Sequence, residues 1–155
     1  MESIKIMPSV LKGKVTVPPS KSLSHRAVIC ASLCNDGHSI INNLALSEDI
    51  KKTAEGMKKL GSEINIKNSG ACIKRNNIIE KNPAIDCGES GSTLRFLIPL
   101  SLVLTNSCSF TGSRRLFERP LDVYYDIFAK HHIKYMADAE RLTLNGSLSP
   151  GTYVV

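Results

Sequence analysis

The chain carries an internal repeat with an offset of 69 residues, and this feature constrains its fold more than any other. Ser24-His-Arg26 aligns with Thr93-Leu-Arg95, and the apolar segment Ala27–Leu33 aligns with Phe96–Leu102. Later segments also correspond, with one or two residues of drift. Repeats of this length are whole supersecondary units, so the chain is predicted to contain two copies of one unit.

Each copy is predicted to run strand, helix, strand, helix, strand, strand, which is an α/β fold built from βαβαββ units. The elements expected in the first copy are a strand at Lys14–Val17, a helix at Ser24–Leu33, a strand at Ser39–Leu44, a helix from Ser47 to Leu60, and a hairpin of Glu63–Lys67 with Ala71–Lys74. Those expected in the second are a strand at Pro83–Asp86, a helix at Thr93–Leu104, a strand at Cys108–Gly112, a helix at Pro120–Lys130 that begins on its proline, and strands at Ile133–Met136 and Leu142–Leu144.

The formal net charge of +6 fits nucleic acid, an acidic membrane surface or a small polyanionic substrate. The chain has no tryptophan and only 5% aromatic residues, which does not favour nucleic acid. Its longest apolar run, Phe96–Leu104, is far short of the ~20 residues of a membrane span. The N-terminus lacks an apolar signal core, so a soluble, cytoplasmic protein is expected.

The five cysteines are odd in number and follow no disulfide framework, which indicates a reduced cytosolic protein. Cys30 and Cys34 lie four residues apart on a predicted helix, and no second pair with metal-ligand spacing follows. We therefore expect them to be buried as small apolar residues, with no metal bound.

Two corresponding stretches place positive charge at helix starts. They are Ser20-Lys-Ser-Leu-Ser-His-Arg26 and Gly88-Glu-Ser-Gly-Ser-Thr-Leu-Arg95. Since the amide dipoles leave positive charge at a helix N-terminus, each cation there costs on the order of 0.3–1 kcal/mol. Each stretch also offers free backbone N–H groups, hydroxyls and an arginine, a set that binds anions. The glycines at 88 and 91 would let a phosphate approach the backbone closely.

Simpler explanations stay open for the single residues. Ser20, Ser22, Ser90 and Ser92, each taken alone, are expected to be helix caps. An arginine at a helix start is usually a solvated side chain. Neither explanation accounts for cations at the same unfavourable pole in both copies, and a local rule broken twice at equivalent points indicates a site.

A third basic stretch, Thr111–Pro120, holds three arginines around one glutamate. For Arg114, Arg115 and Arg119, surface ion pairing with Glu118 and ligand binding are both open.

The remaining titratable residues have less specific patterns. Glu48 and Asp49 are expected at the start of a helix rather than as paired catalytic carboxylates. His38, His131 and His132 show no partner pattern, and surface or strand positions suffice for them.

In order and spacing, the three stretches resemble the signature motifs of the EPSP synthase family of enolpyruvyl transferases. Pro19–Arg26 is similar to the first signature, Glu89–Arg95 to the second and Thr111–Pro120 to the third. The resemblance covers nearly all 155 residues, and three ordered motifs make it specific.

The resemblance implies an inside-out α/β barrel of βαβαββ units, with two of the usual three units of one domain present. These units would be residues 14–82 and 83–155. Residues 1–13 would be an N-terminal strand segment that normally joins a second domain, which is absent here.

The resemblance also implies a reaction in the shikimate pathway to aromatic amino acids. The enolpyruvyl group of phosphoenolpyruvate is transferred to the 5-hydroxyl of shikimate 3-phosphate, and phosphate is released. No metal or organic cofactor is implied. The partners would be these two small anions, with no nucleic acid or membrane, and the full enzyme would be a monomer.

Site residues carry over by motif position. Lys21 would touch both substrates and is the one candidate catalytic residue. Shikimate 3-phosphate would contact Lys21, Ser22 and Arg26, and phosphoenolpyruvate would contact Lys21, Gly91 and Arg119. Three further residues would lie near the site: Arg95, Arg115 and Ser92.

The chain departs from the family pattern at Glu89, where many members have asparagine, and this carboxylate could pair with a neighbouring arginine. It is also much shorter than the family enzyme, and the candidate proton-transfer groups belong to the absent part. The chain alone is therefore predicted to bind substrates without catalysing the transfer. Its exposed helix faces make self-association an expectation.

Two other functions remain alternatives. The sister enzyme that transfers enolpyruvate to a UDP-amino sugar has Lys-Asn where this chain has Lys21-Ser22. A non-catalytic module that binds small anions is the alternative from another class.

Overall fold

Two antiparallel strand triplets and the helices between them organise the chain in a computed structural model that describes residues 3–8, 10 and 12–153. The elements of the first half are α1 (Lys21–Leu33), β1 (Ser39–Ile41), α2 (Glu48–Lys59), β2 (Ser62–Lys67) and β3 (Gly70–Arg75). Those of the second half are β4 (Ala84–Asp86), α3 (Gly91–Leu104), β5 (Ser107–Thr111), α4 (Arg114–Phe117), α5 (Asp122–Lys130), β6 (Lys134–Ala137) and β7 (Arg141–Asn145).

The two sheets share one arrangement. The first has the order β1-β3-β2, with antiparallel pairing throughout. The second has the order β4-β5-β7-β6, in which β4 pairs with β5 in parallel and the other pairs are antiparallel. The order β5-β7-β6 therefore matches β1-β3-β2. The predicted hairpin is present, and Asn68 takes the left-handed conformation that its turn requires.

The predicted strand at Lys14–Val17 is wrong. This segment forms no strand, and Val15 and Val17 are 87% and 76% exposed. A strand exists only where a neighbour completes its hydrogen-bond ladder. In the second sheet β4 finds that neighbour in β5, whereas among the described residues β1 pairs with β3 alone.

The prediction that a helix begins on Pro120 is also wrong. Residue Leu121 occupies the N-cap, and α5 starts at Asp122. The Pro120 carbonyl accepts a hydrogen bond from Arg95 Nη2 at 3.1 Å, outside the helix. Sequence reasoning also missed the short helix α4, which is capped by Ser113 through a 3.3 Å bond from the Leu116 N–H.

The core is one apolar cluster that both halves share. An apolar stripe on α2 faces this core, because Ile50, Ala54 and Met57, together with Leu60 at the C-cap, are all fully buried. Pro99 lies inside α3, where it cannot donate to the carbonyl four residues earlier. That carbonyl, on Arg95, instead accepts a 2.9 Å hydrogen bond from the Tyr124 hydroxyl. A side chain of α5 therefore provides the hydrogen-bond donor that the proline lacks.

Cys30 and Cys34 are exposed, so the expectation that they are buried is wrong. The buried face of α1 carries Ser24, Val28 and Ser32, and Cys30 lies on the opposite side. Burial applies instead to Cys87 and Cys108, and it raises the pKa of each thiol to about 12.

Two negative findings hold for the part of the chain that the structure describes. No cluster of three metal-ligating side chains occurs there. No described helix has the length and apolar character to cross a membrane.

Candidate functional site: paired helix starts that carry cations

The first turn of α1 carries positive charge without any acidic residue of its own. Ser20 caps the helix by accepting a 3.3 Å bond from the Leu23 N–H. Lys21 Nζ lies 2.5 Å from Asp49 Oδ2 of α2, and both side chains are partly exposed. A neighbouring helix therefore supplies the carboxylate that the first turn of α1 lacks.

Arg26 lies along the surface of α1 and reaches α3. Its Nη1 donates to the Ser22 carbonyl at 3.1 Å. Its Cζ atom lies 5.5 Å from the centre of the Phe96 ring, within cation–π range. The guanidinium thus contacts the first turn of α1 and the Phe96 ring of α3.

Two further guanidinium groups converge on the first residue of α3, Gly91. A Cβ atom placed on Gly91 would lie 2.8 Å from Arg119 Nη1 and 3.0 Å from Arg95 Nη1. The first turn of α3 has no acidic residue, and Ser90 caps it by accepting a 3.1 Å bond from the Thr93 N–H. A helix N-terminus with two adjacent guanidiniums suits an anion.

The loop after β4 sets this geometry through tight backbone packing. Gly88 takes a positive φ of 56°, and its carbonyl accepts a 2.8 Å bond from the Ser113 N–H. A Cβ on Gly112 would lie 2.6 Å from the Gly88 carbonyl oxygen, so the two loops meet where only glycine fits. Helix α4 then leads directly to Arg119.

A buried row of polar side chains connects the three helices. His25 Nδ1 lies 2.8 Å from Thr53 Oγ1, which lies 2.8 Å from Thr93 Oγ1. Thr93 Oγ1 donates to Ser90 Oγ at 2.7 Å. All four residues are at most 1% exposed. The row thus runs from α1 through α2 to the cap of α3.

Burial lowers the pKa of His25, because the charged imidazolium is poorly solvated there. Asp49 acts in the opposite direction, and Lys21 and Arg26 add to the lowering. His25 Nε2 is buried without a hydrogen-bond partner among the described residues. The imidazole is therefore neutral near pH 7.

The structure groups some of the predicted site residues more closely than others. Gly91, Arg95 and Arg119 meet at the start of α3, whereas Lys21 contacts Asp49 at the start of α1. The exposed Arg115 side chain makes no hydrogen bond or ion pair within the described residues. The same holds for Glu89, so its possible pairing with an arginine is not seen there.

Two of the four serines that were candidates for helix caps act as caps. Ser20 and Ser90 are confirmed as caps. The capping prediction is wrong for Ser22 and Ser92, which lie exposed inside the first turns, two residues beyond the caps. Their hydroxyls are therefore not committed to capping their helices.

The ion pair in the third stretch involves a single arginine. Arg114 Nε lies 3.4 Å from Glu118 Oε1, one helical turn away. Arg119 instead points toward Gly91. Arg114 thus forms the ion pair, whereas Arg119 lies near the candidate site.

Sequence reasoning missed the contributions of α2. The sequence predicts Asp49 only as part of a helix start and indicates no specific role for Thr53 or Thr93. A detectable signal was present, since Thr53 is the one polar position within the otherwise apolar stripe of α2. A buried polar side chain at such a position requires partners.

The fold and this site together define an α/β protein whose paired, positively charged helix starts suit small anions. The sequence profile of EPSP synthase (3-phosphoshikimate 1-carboxyvinyltransferase) matches residues 6–145. The chain therefore belongs to the EPSP synthase family, which confirms the resemblance of its motifs.

Relatives named 3-phosphoshikimate 1-carboxyvinyltransferase support this assignment. One from Clostridium perfringens is 48% identical over all of this chain and 37% of its own length. One from Clostridium kluyveri is 49% identical over all of this chain and 37% of its own length. The chain thus spans less than two fifths of the length of these relatives.

The fold is shared with solved structures. An EPSP synthase from Acinetobacter baumannii superposes with a TM-score of 0.71 over 86% of this chain and 32% of its own, at 22% identity. The mixed α/β architecture is therefore that of EPSP synthase structures.

Proposed function

We propose that this chain forms the part of an EPSP synthase that binds shikimate 3-phosphate and phosphoenolpyruvate from one side. In the complete reaction, the 5-hydroxyl oxygen of shikimate 3-phosphate bonds to C2 of phosphoenolpyruvate while C3 gains a proton. The adduct then loses phosphate, which restores the double bond. Both substrates carry several negative charges, which agrees with the positive charge of the site and the net charge of +6.

The observation that carries the proposal is the convergence of Arg95 and Arg119 on Gly91. Two guanidiniums that approach one another without an intervening carboxylate repel each other. An anion with two or three oxygens would relieve that repulsion and accept bonds from both groups. The helix N-terminus at Gly91 adds backbone N–H donors to the same point.

The proposed roles follow the family motifs. Lys21 contacts both substrates and is the candidate catalytic residue. Ser22 and Arg26 hold shikimate 3-phosphate. Gly91 and Arg119 hold phosphoenolpyruvate, and Arg95, Arg115 and Ser92 lie near the site. The hydroxyls of Ser22 and Ser92 support this, because neither caps its helix.

We further propose that residues 14–82 and 83–155 are two of three repeated units of one domain, and that residues 1–13 belong with a second domain. The equivalent strand orders β1-β3-β2 and β5-β7-β6 support the repeat. Ile4 and Ile6 are 91% and 87% exposed, which is consistent with an N-terminal segment whose partner lies outside this chain.

Binding without turnover is expected of the chain alone, because the second wall of the site would come from sequence it does not contain. Pure protein mixed with both substrates should release no phosphate above the buffer rate. Phosphate release that depends on protein concentration and disappears in Lys21→Ala would overturn this expectation. The proposed partners are the two small anions, with no nucleic acid or membrane surface.

Calorimetric titration with each substrate tests the proposal. Arg119→Ala should weaken phosphoenolpyruvate binding about 10- to 100-fold, since a charge-assisted bond contributes about 1.5–3 kcal/mol. Arg114→Ala is the matched control, because it removes the same charge from a side chain paired with Glu118. For shikimate 3-phosphate, Lys21→Ala is compared with Lys58→Ala, whose lysine pairs with Glu55 on α2. Equal affinities within either pair of variants would contradict the assigned roles.

A further inference from the structure

Helix α2 connects the two cation-bearing helix starts, although it carries none of the proposed ligand residues. Its Thr53 hydroxyl oxygen lies 2.8 Å from His25 Nδ1 of α1 and 2.8 Å from Thr93 Oγ1 of α3. Thr53 is completely buried, as is Thr93. No other described side chain makes hydrogen bonds to both α1 and α3.

Asp49, one turn earlier on α2, reinforces the same junction with two different groups. Its backbone carbonyl lies 3.2 Å from both the Thr53 and the Thr93 hydroxyl oxygens. Its carboxylate lies 2.5 Å from Lys21 Nζ. The first turns of α2 thereby contact the first turn of α1 from one side and the first turn of α3 from the other.

The donors in this row can be assigned by counting protons. His25 Nε2 is buried and unpartnered among the described residues, and a bare nitrogen there is less costly than an unsatisfied N–H. The neutral imidazole then carries its proton on Nδ1 and donates it to Thr53 Oγ1. The shorter contacts direct the Thr53 proton to Thr93 Oγ1, at 2.8 Å against 3.2 Å for the Asp49 carbonyl, and Thr93 donates onward to Ser90 Oγ at 2.7 Å. Only a hydroxyl both accepts from the imidazole and donates onward in this way.

We propose that Thr53 is a positioning residue, whose hydroxyl fixes the start of α1 relative to the start of α3 and so sets the spacing between the two bound anions. This inference rests on the proposed function for the identity of the anions, but its structural part does not. Thr53 contacts neither substrate. It acts through His25, which is next to Arg26, and through Thr93, which lies two residues after Gly91.

The proposal separates Thr53 from an ordinary core residue. Loss of an ordinary core contact would weaken the whole fold, whereas loss of this hydroxyl should release two specific helix starts at once. Thr53→Val keeps the size and branching of the side chain and removes only the hydrogen bonds. Thr53→Ser keeps the hydroxyl and is the matched control.

The first arm of the test needs no ligand. Amide hydrogen exchange in the 155-residue chain should become several-fold faster in Thr53→Val at Leu23 and at Thr93, the amides that the two caps hold. Exchange at Leu144, in the core of the second sheet, should stay unchanged, and Thr53→Ser should behave as wild type. Acceleration confined to α2, or equal in all elements, would overturn the inference.

The second arm measures binding of shikimate 3-phosphate and of phosphoenolpyruvate by titration. Thr53→Val should weaken both by about 5- to 10-fold, the loss expected for one or two neutral hydrogen bonds, and Thr53→Ser should restore both. Wild-type affinity in Thr53→Val for either substrate would contradict the inference.

The two arms distinguish a failure of this inference from a failure of the proposed function. If the wild-type chain binds neither substrate, the proposed function fails and the exchange arm alone decides the role of Thr53. If Thr53→Val does not fold, Thr93→Val with Thr93→Ser as its control cuts the same junction from α3. Unchanged exchange at the amide of residue 93 in a folded Thr93→Val would then overturn the inference.

Discussion

At Gly91, two positively charged guanidinium groups lie directly beside the helix backbone. Its lack of a side chain leaves room for the Arg95 and Arg119 guanidiniums directly beside the start of α3. Its φ is not positive, so the requirement for glycine is spatial and not conformational. The two atoms in the way of a side chain are the ends of long, flexible arginines, which can move at little energetic cost.

Gly91→Ala should therefore separate stability from binding. We expect the free energy of unfolding to stay constant or rise by up to about 1 kcal/mol, since alanine is the better helix former. Phosphoenolpyruvate affinity should fall, because the new methyl group displaces both guanidiniums. Urea unfolding and calorimetric titration measure the two effects. Gly151→Ala is the control, because an added Cβ there meets no atom of the described residues closer than 3.9 Å, and equal phosphoenolpyruvate affinity in both variants would refute the argument.

His25 gives the fold a dependence on pH. Its folded-state pKa lies below the usual histidine value of 6.5 because of burial, while Lys21 and Arg26 on α1 and Asp49 on α2 are the charges that act on it. Between the two pKa values the unfolded chain binds more protons than the folded chain, so stability is greatest above about pH 6.5 and is lost as the pH falls. Urea unfolding at about pH 7.5 and about pH 5.5 should show this loss. It should be smaller in His25→Gln and unchanged in His38→Gln, which alters an exposed histidine. A pH dependence that is the same in all three proteins would rule out His25 as its source.

At the scale of elements, the packing of α2 against α3 depends on a second glycine. A Cβ on Gly56 would lie 2.5 Å from Leu97 Cδ1 of α3 and 3.1 Å from Ile85 Cγ2 of β4. Both of these side chains are fully buried, so neither can turn away into solvent. Thr53 and Thr93 lie about one turn before Gly56 and Leu97 in their helices. Because α2 and α3 approach closely at Gly56, these two hydroxyls come within hydrogen-bond distance of each other.

Gly56→Ala should consequently destabilise the chain by about 1–3 kcal/mol, although alanine favours a helix, because overpacking outweighs propensity. The free energy of unfolding from urea titration gives the measurement. Glu55→Ala introduces the same residue at the neighbouring exposed position, where the gain in helix propensity is small, and loses only a surface ion pair with Lys58. Its stability should stay close to wild type. If Gly56→Ala proved as stable as Glu55→Ala, the helices would have to tolerate a larger separation than the structure indicates.

The elements also show what could be predicted from the sequence. The apolar stripe of α2 and the Asn68 hairpin were predictable, because periodicity and turn chemistry are local signals. The strand at Lys14–Val17 was predicted wrongly, because strand formation depends on a partner that local sequence does not reveal. At the candidate site, the motifs drew attention to Gly91 and Arg119, which the structure brings together, and to Lys21, which lies at the start of α1. The junction through Asp49 and Thr53 could not be predicted, since it depends on how three helices pack.

At the scale of the whole molecule, the outer face of α3 is apolar and open. A groove of about 540 Å³ lies between α3, α5 and the segment from Leu148 to Tyr153. A second hollow of about 400 Å³, between α1 and α3, shares Pro99 and Tyr124 with it. Val103 in the groove is 64% exposed. An apolar surface of this kind gains free energy when it is covered.

We therefore expect the isolated chain to self-associate through this face as its concentration rises, with the mean sedimentation coefficient increasing accordingly in sedimentation velocity. Val103→Glu places a charge in the groove, where burial against a second copy would be unfavourable, and should restore the monomer. Ile78→Glu is the matched control, because Ile78 is 75% exposed but lines neither hollow. A constant sedimentation coefficient at all concentrations would contradict self-association. Equal association of the two variants would place the contact on another surface, because only Val103→Glu alters the groove.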